Sequence, residues 1–439
     1  MSKFQLNNLE TIAVCTPNNS GRLIGKRIPI DRWAEIQNDG MLMPNFHLVT
    51  GIENKAQANM AVAGYATGFK NGILRPADKQ LRPLPFEEGS ALSMADVFDS
   101  DGSIVPEAPR TILNHQIERL NQIGLFAKCA TELEFYLYRN SYRDAYSEGY
   151  KTLEPFYHLH GDNDILVSGF AENFLSHLRK SMQDTGIPVY ATQGEGAPGQ
   201  YEINFQHSDP LRAADNHVLF KHLTKQLASQ TDMSVSFMAK IDPALAGSSC
   251  HVHISLSDKN DSSVVGSRQD GLSDIGQQFL AGLIKYAPDF MALYGPYMNS
   301  YKRLIPGSFA PSNCTWGWDN RSVMARVIGD QPLRFEFRTA GADANPYWVL
   351  SAMLASGIAG IKNKLVPPAA IQGNAYLSNA PQVPADLTEA VQAFSSSDTA
   401  MEAFGPQVFQ HLLDLCKHER DAGRRAISDW EIARGFERA

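Results

Sequence analysis

The segment ATELEFYLY, Ala130–Tyr138, alternates apolar and polar side chains, the pattern of a strand. Leu133, Phe135 and Leu137 then share one face, and Glu132 and Glu134 share the other. Two carboxylates side by side repel, so that face either meets water or holds a cation between them. Other segments repeat the pattern. Glu195 and Glu202 bracket the turn GAPGQY, which folds both acids toward one point. His251 and His253 alternate along SCHVHISL, and Glu336 sits between Arg334 and Arg338 on LRFEFR. Glu132, Glu134, Glu195, Glu202 and Glu336 with a histidine offer hard oxygen ligands and a nitrogen. That mix suits Mg²⁺ or Mn²⁺ better than structural zinc. Two ions about 4 Å apart would each take roughly three protein ligands. Arg303, Arg321, Arg326, Arg334 and Arg338 follow late in the chain. Guanidinium forks match phosphate and carboxylate oxygens. Metal plus arginine is equipment for moving a phosphoryl group between anions. No Gly-x-x-x-x-Gly-Lys-Ser/Thr loop is present, so the pattern argues against a P-loop nucleotide site.

The elements that must position these groups belong to a chain of 439 residues, 43% hydrophobic and 20% charged. That length predicts two domains. A net charge of -8 argues against a nucleic-acid partner. MSKFQLNNLETIAVCTPNNS lacks the basic start and apolar run of a secretory leader, and no run of eighteen apolar residues predicts a membrane span. The five scattered cysteines, with no Cys-x-x-Cys pair, fit free thiols in a reducing cytoplasm.

Short apolar runs broken by TPNNSGRLIG, NDGMLMPN and FKNGILRP predict a small strand-rich first domain, residues 1–104. The turn-rich DVFDSDGSIVPEAPR marks its boundary with a second domain, residues 105–439. There ILNHQIERLNQIG predicts a helix stopped by Gly124, and residues 140–163 predict an irregular surface excursion. Helices are expected over 169–185, to about 230, over 275–294, in NPYWVLSAMLASGIAGI and in the tail from 386. Strands are expected from Gln200, in MSVSFMAKI, SCHVHISL and LRFEFRT, with SYKRLIPGSFAPSNCTWGWDNRS mostly loop. Long strands mixed with helices predict an antiparallel-rich α+β domain.

TELEF, EGAPGQYE, GSSCHVHISL, NSYKRLIPG, DNRSVMAR, RFEFR and ADANPY, in this order and spacing, resemble the glutamine synthetase family over essentially the whole chain. The resemblance implies an α+β fold: a small N-terminal β-grasp domain and a large catalytic domain, ATP-guanido-kinase-like, with a curved antiparallel sheet flanked by helices. It implies ATP and two or more Mg²⁺ or Mn²⁺ ions per site. It also implies a homo-oligomer, commonly a dodecamer of two hexameric rings with sites between subunits. By the resemblance, Glu134, Glu195 and Glu202 hold the metal nearer glutamate, and Glu132, His251 and Glu336 the metal nearer the nucleotide. Arg303 and Arg338 handle the glutamate carboxylates, and Gly247 lies in the loop that holds its amino-acid end. Arg321 matches the arginine that stabilises the transferred phosphoryl group. Arg326, Arg334 and His253 match groups near the nucleotide phosphates. The implied reaction phosphorylates the side chain of L-glutamate and then replaces phosphate by an amine.

The chain departs from the family where ammonia is handled. Ammonia-using members carry a glutamate shortly after NSYKR-x-x-P-G; here the position is Phe309, in PGSFAPSN. A phenylalanine neither accepts a proton nor attracts ammonium. MLMPNFHLVTGIENKAQANM holds no aspartate for an ammonium pocket, a further family aspartate falls at Asn71, and Ala246 replaces an asparagine beside Gly247. The pattern resembles the ligases that make γ-glutamyl amides from polyamines such as putrescine, ethanolamine, alkylamines or anilines. Trp316 and Trp318 are either loop packing or an aromatic wall for the amine. Glu53, Glu87 and Glu88 are possible partners for a distal ammonium. An ammonia-using glutamine synthetase is the alternative enzyme. A non-catalytic ring scaffold is expected to lose its metal ligands, and this chain keeps all six.

Overall fold

A computed structural model describes residues 9–56, 60–77 and 81–438. Residues 1–8 of the stretch read for a leader, and 57–59 of the stretch read for an aspartate, lie outside them.

The N-terminal part is a six-stranded sheet. Its strands are β1 (Thr11–Pro17), β2 (Leu23–Pro29), β3 (Met41–Pro44), β4 (Asn71–Pro76), β5 (Arg82–Pro83) and β6 (Ser90–Phe98), in the order β2-β1-β6-β4-β3 with β5 on β6. The first and last strands meet in the middle, in parallel, and the other pairs are antiparallel. This is the expected β-grasp-like sheet. Ile12, Val14, Leu74, Ala95 and Val97 form its own apolar cluster, which Val105 and Ala108 also join.

The larger part opens with helix α1 (Pro109–Gln122), with proline in its first turn and Gly124 in the left-handed region just past its end. An eight-stranded sheet follows: β7 (Phe126–Tyr138), β8 (Val189–Gly194), β9 (Gln200–Phe205), β10 (Ser234–Ser236), β11 (Cys250–Ser257), β14 (Trp316–Trp318), β15 (Ala325–Gly329) and β16 (Leu333–Phe337). A separate short hairpin, β12 (Gly266–Ser267) and β13 (Gly271–Leu272), lies between β11 and β14 in sequence. The order is β14-β15-β16-β11-β7-β9-β8 with β10 on β7, and only β14 and β15 pair in parallel. Leu133, Phe135 and Leu137 are fully buried on one face, as their alternation predicts. That face packs on helices α3 (Pro210–Gln230) and α4 (Asp274–Lys285), for example through Phe135 with Phe220 and Phe335 with Phe279. Behind α4 lies α5 (Pro346–Lys362), buried on almost every side, which suits its uniformly apolar sequence. A Cβ on Gly282 of α4 would come 2.1 Å from the Ser356 carbonyl oxygen of α5, so glycine sets how closely these helices approach.

Four local readings change. MSVSFMAKI is a strand only over β10; the Ser236 hydroxyl accepts from the Met238 amide, an alternative to ladder pairing. The helix expected to Tyr294 breaks at Lys285, just before Pro288, and resumes as a 3₁₀ turn, Pro288–Phe290, and a short helix, Met291–Tyr294. Residues 140–163 contain a short helix, α2 (Tyr142–Ser147), capped by Ser141. Strand β14 stands where loop was expected, and β15 follows just beyond that segment.

A buried ionic knot ties the two sheets together. Arg110 on α1 donates from Nε to Asp96 on β6 at 2.7 Å and from Nη1 to Asp215 on α3, which also accepts from the Tyr347 hydroxyl at 2.6 Å. Asn345 adds a bond to the Asn19 carbonyl at 3.0 Å. Removing one partner of such a cluster leaves uncompensated buried charge. Arg110→Met is expected to cost about 3–5 kcal/mol. A thermal-unfolding scan should show a fall of many degrees; an unchanged midpoint would mean water takes over the two carboxylates.

Candidate active site

The face of the large sheet opposite the core carries the charged set, and the strand register places it. Glu132 on β7 is paired with His251 on β11 and with Asn204 on β9; Glu134 is paired with Glu202. His253 faces Glu336 on β16, which faces Arg326 on β15. Directly opposed residues on neighbouring strands share a face. Alternation within each strand and antiparallel register between them therefore gather groups far apart in sequence.

Glu132 is the hub. One oxygen lies 2.8 Å from His251 Nδ1 and the other 3.0 Å from His253 Nε2 and from Asn204 Nδ2. Burial pushes its carboxyl up, yet the two histidines outweigh this and hold it well below the usual carboxylate range. Glu134 is gripped by the Ser249 amide and hydroxyl, at 2.9 and 2.6 Å. Glu202 accepts from Asn204 at 2.9 Å, and Glu195 from Gln193 at 3.0 Å. These donors do not balance the crowding. Burial, and then repulsion from Glu134, pushes Glu195 up to about 8. Burial, and then Glu132 and Glu134, pushes Glu202 well above its ordinary value. Glu336 is the opposite case. Burial raises it, but Arg338, at 2.6 Å, and the two histidines hold it at about 2; Arg326 donates to its second oxygen at 2.9 Å.

Two groups bring possible ligand atoms within 4.8 Å of one another: Glu132 with His253 and Glu336, and Glu132 with Glu202 and His251. Two adjoining acidic and histidine clusters of this kind fit a divalent-metal site. Acids pushed up by burial and by mutual repulsion are what a bound cation would relieve. Of the six expected ligands, Glu132, Glu202, His251 and Glu336 fall in these groups, joined by His253; Glu134 and Glu195 fall in neither, and the groups do not follow the two expected triads.

The arginines separate. Arg303 is buried, and its Nη2 donates to the Thr339 and Ala340 carbonyls at 2.5 and 3.0 Å. A Cβ on Gly247 would stand 2.4 Å from Arg303 Cγ, so only glycine fits over it. Arg338 is buried too, with Nη2 on the Phe309 carbonyl at 3.3 Å. Arg303 Nε and Arg338 Nε are both buried without a protein partner among the described residues. Arg334 reaches His253 Nδ1 at 3.3 Å, and Arg326 also holds Asp319. Arg321 is exposed and contributes only its charge to Asp319. A cleft of about 1060 Å³ runs outward from this edge, lined among others by Lys128, Glu132, Tyr190, Asn204, His253 and Arg334.

Phe309 is 70% exposed, on a turn in the left-handed region. Trp316 is buried and donates to the Pro368 carbonyl at 2.6 Å, which settles its role as packing. Glu87 is taken by Arg27 at 2.6 Å and by Gln226, while Glu53 and Glu88 are exposed. Asn71 is an exposed residue on β4, and the Ala246 carbonyl accepts from the Tyr136 hydroxyl at 2.7 Å. Sequence reasoning missed Asn204 and Ser249. The signal was available, since Asn204 follows Glu202 by two residues and Ser249 precedes His251 by two.

A family model described as "Glutamine synthetase, catalytic domain" matches residues 106–435. The chain belongs to the glutamine synthetase family. It is 37% identical to γ-glutamylethanolamide synthetase GlnA4 of Streptomyces coelicolor, over 98% of this chain and 93% of that protein. It is 33% identical to a glutamate–isopropylamine ligase of a Pseudomonas species, over 98% and 96%. A solved GmaS/ADP complex superposes with a TM-score of 0.86 at 25% identity, covering 98% of this chain and 97% of that one. Within the family the chain falls in the branch of γ-glutamyl-amine ligases, and it is an ATP-dependent glutamate–amine ligase. Among the described residues, no helix is long and apolar enough to cross a membrane.

The crowded acids make a pH prediction. In the metal-free protein Glu195, raised from 4.5 to about 8, favours its protonated form when folded. Its share of stability is therefore full below pH 4.5 and is lost as pH rises through 8. Metal-free Glu195→Gln should melt about 2–4 °C above the parent at pH 8 and close to it at pH 5. Mn²⁺ should reverse the order at pH 8 by stabilising the parent more. Equal melting at both pH values would show that Glu195 does not feel the cluster.

Proposed function

We propose that the acceptor is a short primary monoamine with a neutral tail, joined to the γ-carboxylate of L-glutamate through γ-glutamyl phosphate. The observation that carries this is Phe309. Where a proton-accepting carboxylate is expected there is an exposed phenyl group, and its turn is held by Arg338. Arg338 touches this turn, and Arg303 lies beside Arg338. Glu336, which pairs with Arg338, already serves Arg326 as well. The names of the ethanolamine and isopropylamine relatives agree with a short monoamine.

In the reaction so read, a glutamate γ-carboxylate oxygen attacks the γ-phosphorus of ATP, and ADP leaves. The amine nitrogen then attacks the acyl carbon, phosphate leaves, and the nitrogen loses a proton. Glu134, Glu195 and Glu202 would hold one divalent ion and Glu132, His251 and Glu336 a second. Such ions supply charge neutralisation at the phosphoryl oxygens. The chain's own groups do the rest. Arg303 and Arg338 orient the glutamate carboxylates, their unpartnered Nε atoms being available donors. Gly247 admits the amino-acid end above Arg303. Arg334 and His253 line the 1060 Å³ cleft and would face the triphosphate there, with Arg326 behind them on Glu336, and Arg321 would meet the transferred group.

The division at residues 104/105 is supported by the gap between β6 and α1. A homo-oligomer, in the family arrangement two stacked hexameric rings, is supported by the exposed Ile427, Trp430, Ile432 and Phe436 of the tail. Five free, buried cysteines support a cytoplasmic setting.

The test is phosphate release from ATP with glutamate, Mg²⁺ and a panel of ammonium, methylamine, ethanolamine, isopropylamine, putrescine and aniline, with mass detection of products. Turnover should be strongest with a short monoamine and weak with ammonium and putrescine. Efficient glutamine formation would overturn the reading. Phe309→Glu should shift the kcat/KM ratio of ammonium to monoamine toward ammonium by about tenfold, equivalent to about 1.4 kcal/mol. An unchanged ratio would remove Phe309 from acceptor selection.

A further inference from the structure

The Phe309 turn is held on both sides of its residue. Gly307 and Phe309 both lie in the left-handed region, with φ of 84° and 59°. That conformation is open to glycine and unfavourable for a bulky side chain, so something outside the turn must impose it on Phe309. Ser308 ties the start of the turn down, donating to the Arg303 and Ile305 carbonyls at 3.0 and 2.6 Å. The Phe309 carbonyl accepts from Arg338 at 3.3 Å. The next carbonyl, that of Ala310, accepts from the Tyr376 hydroxyl at 3.1 Å.

Tyr376 comes from a remote segment, the 3₁₀ turn Ala375–Leu377. That segment is itself anchored. Asn313 donates to the Ala375 carbonyl at 2.7 Å, the Ala375 amide donates to Ser322 Oγ at 3.0 Å, and Asn320 donates to the Gly373 carbonyl at 2.8 Å. Asn374 caps the Tyr376 amide at 3.0 Å. The hydroxyl of Tyr376 is therefore a fixed point, and the turn bearing Phe309 hangs from it and from Arg338.

We infer that Tyr376 is a positioning residue for the acceptor amine, fixing the phenyl group of Phe309 through the Ala310 carbonyl. The inference rests on the reading of Phe309 as the acceptor wall. It assigns acceptor selection to a residue that touches neither glutamate nor nucleotide. One hydroxyl is responsible, so Tyr376→Phe removes the donor and keeps the ring.

The test compares parent, Tyr376→Phe, Phe309→Ala and the double variant, using the acceptor the parent prefers and one longer by two methylenes. Tyr376→Phe should raise the KM of the preferred amine about five- to tenfold and flatten the kcat/KM ratio between the two amines. The KM values for glutamate and ATP should stay within about twofold, and the melting temperature within about 2 °C. In the Phe309→Ala background, adding Tyr376→Phe should leave the amine ratio unchanged, because the group it positions is gone. An equal loss with every substrate would overturn the inference in favour of a structural role. So would full additivity in the double variant, or no change in the single one. If the parent prefers ammonium, the reading of Phe309 fails by itself. The KM for ammonium then tests Tyr376 directly, and an unaltered value overturns its role too.

Discussion

Carboxylates crowded on one sheet face are the constraint around which the structure is arranged. Glu132, Glu134 and Glu202 sit on adjacent strands, with Glu195 just past a third strand's end and Glu336 two strands away. Hydrogen bonds from Asn204, Ser249 and Gln193 meet part of their demand. They leave Glu195 and Glu202 protonated at pH values where free carboxylates are charged. A folded protein keeps such a cluster only if something positive offsets it. The apolar back of the sheet, clamped by Phe135 on Phe220 and Phe335 on Phe279, holds the strands in register against this repulsion. A one-residue slip would turn every acid into the core.

Glu336 shows how the site divides its positive charge. It is the acid supplied with fixed cations, Arg326 and Arg338, and it stays ionised where Glu195 and Glu202 do not. Arg338 touches Glu336 with one nitrogen and the Phe309 carbonyl with another. One side chain thus links the metal-binding face to the turn proposed to meet the acceptor. Arg303 joins the same unit by bonding the carbonyl of Arg338. In the proposed reading, glutamate lies among groups whose geometry also sets the amine site.

Much of this was legible in the sequence because it depends on period-two alternation. Glu132 with Glu134, His251 with His253, and Arg334 with Glu336 and Arg338 each lie on one strand, and the pleat alone puts each set on one face. The joining of the strands was legible only through the family resemblance, because register between distant strands leaves no local mark. Strand β14 was missed because Trp316–Trp318 is short and flanked by Asn, Asp and Ser, which read as loop, and the equally short β15, Ala325–Gly329, drew no reading. Arg326 consequently gained its partner Glu336 only in three dimensions. Trp316 looked like a possible substrate wall until its indole nitrogen was found on the Pro368 carbonyl. Tyr376 carried no signal at all, since its role depends on a single hydroxyl reaching a backbone atom 66 positions away.

The acceptor end follows the opposite electrostatic logic from the metal face. A carboxylate there would attract ammonium and take its proton, favouring the charged form of whatever amine arrives. In the proposed reading, Phe309 in that place gives ammonium no carboxylate to bind there, and the carbonyl of its turn is already taken by Arg338. The neutral amine is the nucleophile, since its lone pair is free. The proposed site thus gives up capture of the abundant cation and selects instead by contact with the carbon chain, where each buried methylene contributes about 0.8 kcal/mol. Ammonium has no carbon to offer such a surface, so replacing one acid by one phenyl group both lowers the gain from the small substrate and raises the gain from the larger one.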